Sequence, residues 1–378
     1  MFGQQSAYDL IKYEAMPDIT DKDKIFHDNQ KIKARSWLFF FILFALIFGF
    51  VVYYFSEIKK EFKLLEKVNV YWLITAIFAQ FLTYFFTAII YRLLLRAQKL
   101  TQLPRLWNLL RASIISLFFN QTMPSAGISG NTFIFNFLAK FNLRVAQIVS
   151  LILVELLIFY AAMEIVILFL LITCLFFYKL PHVFTVTLAV GFIVYLIFGT
   201  LVAFAGKKKF LERFFKKAQK IKLFKKLFER VNKQIQRQGI SKNDLQLLTF
   251  LKNNKGTVLK TFLIQLMVAA ADGFTLYSLF YGLGIPVSAY VVLLSLISTK
   301  IISLLPFLPG SLLLYESSMS FFFVNLGVPL VTAIIVTLVY RLLSFWFPIP
   351  IGLFFYRRWL KKSSDLNDSP NAAVKETK

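Results

Sequence analysis

Cysteine and histidine are almost missing from this chain, and acidic residues are scarce. Its 378 residues include one cysteine, two histidines and 19 Asp+Glu against 43 Lys+Arg. With Cys174 alone, no internal disulfide can form. His27 and His182 are too few for a histidine-built metal centre, so no metal or other cofactor is expected. No G-x-x-x-x-G-K-[ST] loop occurs, which excludes a P-loop nucleotide engine. No serine or cysteine nucleophile has a base beside it in sequence. Asp21-Lys22-Asp23 matches a short nucleotide-sugar-binding triplet, but it lies in a polar tail and reads as part of that tail. The first 35 residues are polar and charged, so a cleavable signal is not expected.

What is abundant is apolar surface in long runs. The chain is 58% hydrophobic and 17% aromatic. Trp37–Phe55, Tyr71–Leu95, Gln147–Tyr178, Val183–Phe204, Thr257–Tyr281 and Leu330–Phe355 each exceed the ~18 apolar residues of a spanning helix. The fold class this implies is an all-α polytopic membrane protein. The net charge of +24 would suggest nucleic acid in a soluble protein. Here the basic residues collect between the runs, as loops retained in the cytoplasm do, and nucleic-acid binding is not expected.

Charge placement gives a topology. The clusters Lys22–Arg35, Arg92–Arg111, Lys140–Arg144, Lys207–Arg237 and Arg357–Lys362 belong on the cytoplasmic side. Ser56–Asn69, Lys179–His182 and Gly282–Pro286 fit outside. Arg111 and Lys140 then share a side, so residues 112–138 enter and leave by one face as a re-entrant hairpin tipped by NQTMPSAGISGN. Residues 287–325 form a second such hairpin, entering from outside. At an offset of 185 (309 − 124), Pro124 aligns with Pro309 and Asn131 with Glu316. Two like units of opposite orientation make an inverted repeat, as in many transporters.

The expected architecture is about six spans plus two re-entrant hairpins. A cytoplasmic tail covers 1–35, and a first membrane half 36–205. A basic amphipathic cytoplasmic segment covers 206–256, followed by a second membrane half 257–358 and a tail 359–378. Both termini lie in the cytoplasm, and the protein sits in the cell membrane. Within the basic segment, residues 206–238 carry 13 basic and two acidic residues with phenylalanines on one face, which suits an anionic leaflet.

Charged and polar residues inside apolar runs are the candidate site. A charge at bilayer depth costs roughly 2.5–3.5 kcal/mol on insertion scales and therefore faces the protein interior. Glu155, Asp272, Glu316 and Arg341 qualify, and Arg341 paired with Glu316 or Glu155 would satisfy both charges. Glu164 is nine positions from Glu155 (164 − 155), on the opposite helix face, so the two cannot share one site. Asn120, Gln121 and Asn131 supply amides to a headgroup's oxygens. A half-helix starting near Ser129 would aim its N-terminus at the same place.

These motifs resemble the transmembrane region of lysylphosphatidylglycerol synthases, a flippase-like membrane family. Its N-x-x-x-P-x-x-x-G block reads here as Asn120, Pro124 and, one position early, Gly127. A glutamate follows, here Glu155, with Leu156 where the family usually has arginine; a later acidic residue is replaced near Tyr160. The second block reads Pro306, Pro309, Gly310, Glu316, Gly327–Pro329, Tyr340–Leu342 and Trp346–Pro348, and Gly352 also fits. The resemblance covers roughly residues 36–358. It implies a lipid-translocating protein without the soluble aminoacyltransferase domain of the two-part multiple-peptide-resistance factors. Its partners would be anionic or aminoacylated membrane lipids. Alternatives are an accessory subunit for a lipid-modifying enzyme, or a membrane-embedded aminoacyl- or glycosyltransferase.

Overall fold

The computed structural model describes residues 69–98, 103–123, 128–141, 143–176, 181–204, 247–304, 311 and 313–368. The first expected span, Trp37–Phe55, the basic segment 206–238 and the candidates Pro124, Gly127, Pro306, Pro309 and Gly310 lie outside these residues. Among the described residues the regular structure is helical throughout. Lipid imposes this, because a helix satisfies its own N–H and C=O groups where water is absent. In chain order the helices are α1 (Val70–Ala97), α2 (Leu106–Thr122), α3 (Ile128–Ala139), α4 (Val145–Phe176), α5 (His182–Phe204) and α6 (Leu247–Asn253). Then come α7 (Lys255–Gly282), α8 (Ala289–Ser303), α9 (Leu314–Asn325), α10 (Leu330–Arg341), a π-helical turn (Leu342–Trp346) and α11 (Pro348–Asp368).

Five stretches among the described residues are long and apolar enough to cross a membrane: α1, α4, α5, α7 and Leu330–Lys361. Each coincides with one of the expected spans. The remaining apolar helices are short. α3 and α9 have 12 residues each and α8 has 15, or roughly 18–23 Å at 1.5 Å per residue, against a hydrocarbon core of ~30 Å. α2 starts at Leu106, six residues before the expected 112 (112 − 106). The helix there runs through Arg111, whose side chain is accommodated by aromatic rings.

α1 and α7, 28 residues each, form the antiparallel frame. Asn69 N–H donates to the Gly282 carbonyl at 2.9 Å, joining the start of one helix to the end of the other. The Asn69 side chain also caps α1 by accepting from Tyr71 N–H at 3.0 Å. Small buried residues, Ala76, Ala79 and Ala88 on α1 and Ala271 and Gly273 on α7, favour close approach of membrane helices; Gly273 faces Leu293 of α8. One end of this pair carries Trp72, Tyr277 and Tyr281 in mutual ring contact. The other end carries Arg92, Arg96, Lys255 and Lys260.

The remaining helices bury three apolar clusters. One joins α1, α2, α3 and α4, with Ile351 and Phe355 of α11 packed against it. A second joins α7, α8, α9 and α10. The third joins α4, α5, α8 and α9, where Phe184 and Phe322 rings stand 5.3 Å apart. Outward, α4 and α5 expose Ile165, Phe169, Ile193 and Phe198. A bilayer covers such faces with acyl chains.

Two glycines set how close helices approach. A Cβ on Gly130 of α3 would lie 2.5 Å from Asn120 Oδ1, the Ser116 carbonyl and Ser116 Oγ of α2. A Cβ on Gly352 of α11 would lie 2.4 Å from Phe118 Cβ. Gly130→Val therefore forces α2 and α3 apart and is expected to cost about 1–3 kcal/mol, the usual range for overpacking. Gly256→Ala, where an added Cβ meets nothing within 4 Å, leaves stability unchanged or slightly improved. Thermal unfolding in detergent, read by tryptophan emission, checks the pair.

Candidate functional site

The site is organised around the joint between α10 and α11. Phe347 N–H donates to the Leu342 carbonyl at 2.8 Å, a bond one residue longer than the α-helical step. That shift leaves the Leu343 carbonyl without its usual donor. The next residue is Pro348, which has no N–H for the Ser344 carbonyl four positions back. Other helices supply both missing bonds. Tyr84 Oη of α1 donates to the Leu343 carbonyl at 3.3 Å. Gln121 Nε2, at the end of α2, donates to the Ser344 carbonyl at 3.0 Å. The expected site residue Gln121 thus reaches the joint three residues after Arg341.

On the near side of the joint, α9 meets α10 through two matched neighbours. Arg341 Nε donates to Glu316 Oε1 at 2.6 Å. The guanidinium lies over the rings of Tyr315 at 4.5 Å and Phe345 at 4.2 Å. The Tyr315 and Tyr340 rings stack with centroids 6.3 Å apart. Tyr340 continues the chain of contacts by donating to Asp272 Oδ1 at 2.6 Å. Asp272 Oδ2 forms an ion pair with Lys300 Nζ of α8. Four helices of the second half are therefore tied through two ion pairs and two tyrosines. Glu316 Oε2, Gln121 Oε1 and Gln80 Oε1 are buried with no hydrogen-bond partner among the described residues; all three atoms are acceptors.

The other expected residues fall elsewhere. Asn120 Oδ1 accepts from Gly130 N–H at 2.8 Å, and Ser129 Oγ donates to the Phe119 carbonyl at 2.9 Å. These bonds stitch the first turn of α3 to the end of α2. Asn131 is half-buried on α3. Glu155 on α4 stands within electrostatic reach of Tyr91 and Tyr160 and forms no ion pair among the described residues. Of the two partners the sequence allowed for Arg341, the structure pairs it with Glu316. Ser311 and Leu313, between α8 and α9, have φ of 52° and 68°. Such left-handed backbone in residues other than glycine stores about 1–3 kcal/mol and concentrates at functional sites. Among the described residues, no three side chains suited to a metal converge.

A family model described as lysylphosphatidylglycerol synthase TM region matches residues 36–352. The chain belongs to this family. The match takes in both short-helix pairs, the joint and every site residue named above. No curated protein matches the chain. In this member of the lysylphosphatidylglycerol synthase membrane-region family, sequence reasoning named Tyr340 only as part of a motif and missed Lys300, Tyr315, Tyr84 and Ser344. Lys300 left a usable signal, a lone charge inside the apolar stretch SLISTKIIS, which needs an acid on a neighbouring helix. Tyr84 left none, being one aromatic among many in a spanning run.

The bond between Gln121 and Ser344 exists because Pro348 cannot make it. Gln121→Leu is expected to destabilise by about 1–3 kcal/mol by orphaning a buried carbonyl. Pro348→Ala restores the donor, so Gln121→Leu should cost about 1 kcal/mol less in that background. Denaturation midpoints of the four proteins in one detergent close the cycle; equal costs in both backgrounds would refute the assignment.

Proposed function

We propose that this protein moves a polar-headgroup lipid across the bilayer, flippase-like, through a pocket between two re-entrant helix pairs. The observation that carries this reading is the Arg341–Glu316 pair beside the joint, with Glu316 Oε2 buried and unpartnered. An ion pair at membrane depth that leaves an acceptor unused has somewhere for a ligand donor to bind. Gln121 Oε1 and Gln80 Oε1 add two more unused acceptors near the same joint. A headgroup bearing N–H or O–H donors, as an aminoacylated lipid does, fits this set.

Chain direction supports the two-pair geometry. α2 leaves from the basic Arg105 end and α3 returns to Lys140; α8 leaves from the neutral Gly282–Pro286 link and α9 returns to the neutral Asn325–Pro329. Neither pair is long enough to cross and come back as full spans. On this reading the pairs enter from opposite faces as an inverted repeat, with the basic ends and both termini in the cytoplasm of a cell-membrane protein. No step requires a soluble domain or a nucleotide.

The experiment is transbilayer movement of labelled anionic and aminoacylated lipids in proteoliposomes. A structural role and a transport role for the ion pair separate in three variants. Glu316→Leu and Arg341→Met singly each leave one buried charge unpaired and are expected to lose about 3–5 kcal/mol of stability. Combined, they recover most of that loss, since apolar replacement of a buried pair is often neutral. Transport is expected to stay abolished in the stable double variant. A double variant that still moves lipid would reduce the pair to a structural tie. Wild-type protein that moves no lipid at all would shift the pocket's role to receiving lipid for a partner enzyme.

A further inference from the structure

At the opposite end of the molecule from the Trp72–Tyr277–Tyr281 cluster, two arginines are buried in part without a counter-charge. Arg92 lies five residues inside the end of α1 (97 − 92), and Arg111 five residues inside the start of α2 (111 − 106). The two helices pack together, and each arginine lies roughly 7.5 Å of helix rise from the end that leads toward the other. The Nε of each is buried and has no acceptor among the described residues. Neither guanidinium forms an ion pair among the described residues. Arg111 is bedded on rings, 5.1 Å from the centroid of Trp107 and 5.5 Å from that of Phe355. Rings hold the flat faces of a guanidinium and leave its edge N–H groups for a planar acceptor.

The surroundings identify the acceptor. Arg358 lies over Phe354 at 4.4 Å, and Lys140 over Trp359 at 4.0 Å. This belt of mixed aromatic and basic residues marks a membrane–water boundary. Leu103, Trp107 and Phe354 are exposed beside it. A soluble anion has no use for that apolar surface, whereas a phospholipid places a phosphate at the boundary and acyl chains alongside. We propose that Arg92 and Arg111 form a binding site for the phosphate of an anionic phospholipid at the base of the α2–α3 pair. This site lies away from the Arg341–Glu316 pocket and does not depend on its transport role.

The test uses the full chain in nanodiscs and in native mass spectrometry. Wild-type protein is expected to retain phosphatidylglycerol in preference to phosphatidylcholine. Arg92→Gln and Arg111→Gln should each weaken that retention about tenfold, the loss expected for one charge-assisted phosphate contact. A photoreactive phosphatidylglycerol tested on the wild type needs no variant to fold. It should cross-link peptides around residues 92–96 and 105–111. Equal retention of the two lipids, or cross-links confined to other helices, would overturn the proposal. So would delipidated protein that is stabilised by inorganic phosphate as strongly as by phosphatidylglycerol, since the site would then serve a free anion.

Discussion

Two backbone carbonyls with no helical donor, in a chain built for lipid, set the terms for the rest of this structure. A proline at 348 and a wide turn before it free the oxygens of Leu343 and Ser344. In water such groups would be solvated at little cost. In hydrocarbon each unsatisfied group costs several kcal/mol. The remedy comes from helices remote in sequence, Tyr84 on α1 and Gln121 on α2. That requirement fixes where α2 ends and how α1 is rotated. It also explains why a second helix must lie flush on α2: without a side chain at Gly352, α11 settles within reach of Phe118 and the joint is held from both sides.

The charged residues follow a related logic but a different geometry. Tyr315 and Glu316 are adjacent on α9, and Tyr340 and Arg341 are adjacent on α10, so ring meets ring where acid meets base. Through Tyr340 the pattern reaches Asp272 and, through it, Lys300. The charges in the second half are therefore mutually compensated and held by aromatic contacts. Among the described residues the first half shows no equivalent pair: Asn120 binds backbone instead, and Glu155 is approached by tyrosines. Both parts of the described chain contain short helices, and the polar chemistry is divided unequally between them.

Much of this was legible in the sequence, for identifiable reasons. Spans were readable because lipid demands some twenty apolar residues in a row, a coarse signal that tolerates any order of side chains. The pairing of Glu316 with Arg341 was readable as one of two options, because charges inside spans must find partners. What separated the options was helix rotation, which a uniformly apolar helix such as α4 does not encode in its pattern. That α2 begins six residues before position 112 was not legible, because Arg111 belongs to a basic cluster; stacking on Trp107 and Phe355 allows it to sit within a helix. Tyr84 was invisible for a further reason. Its role is defined by a carbonyl some 260 positions away that is free because the helix widens by one residue there.

The same kind of long-range dependence makes positions 121 and 348 answerable to one another. A lineage that replaced Pro348 with a residue able to donate would release Gln121 from its task, and α2 could then drift without penalty. A lineage that lost Gln121 first would carry an unsatisfied oxygen until the proline followed. The order of change with the lower cost at these two sites has the proline changing before or together with the glutamine, so that substitution order rather than identity alone would carry the constraint.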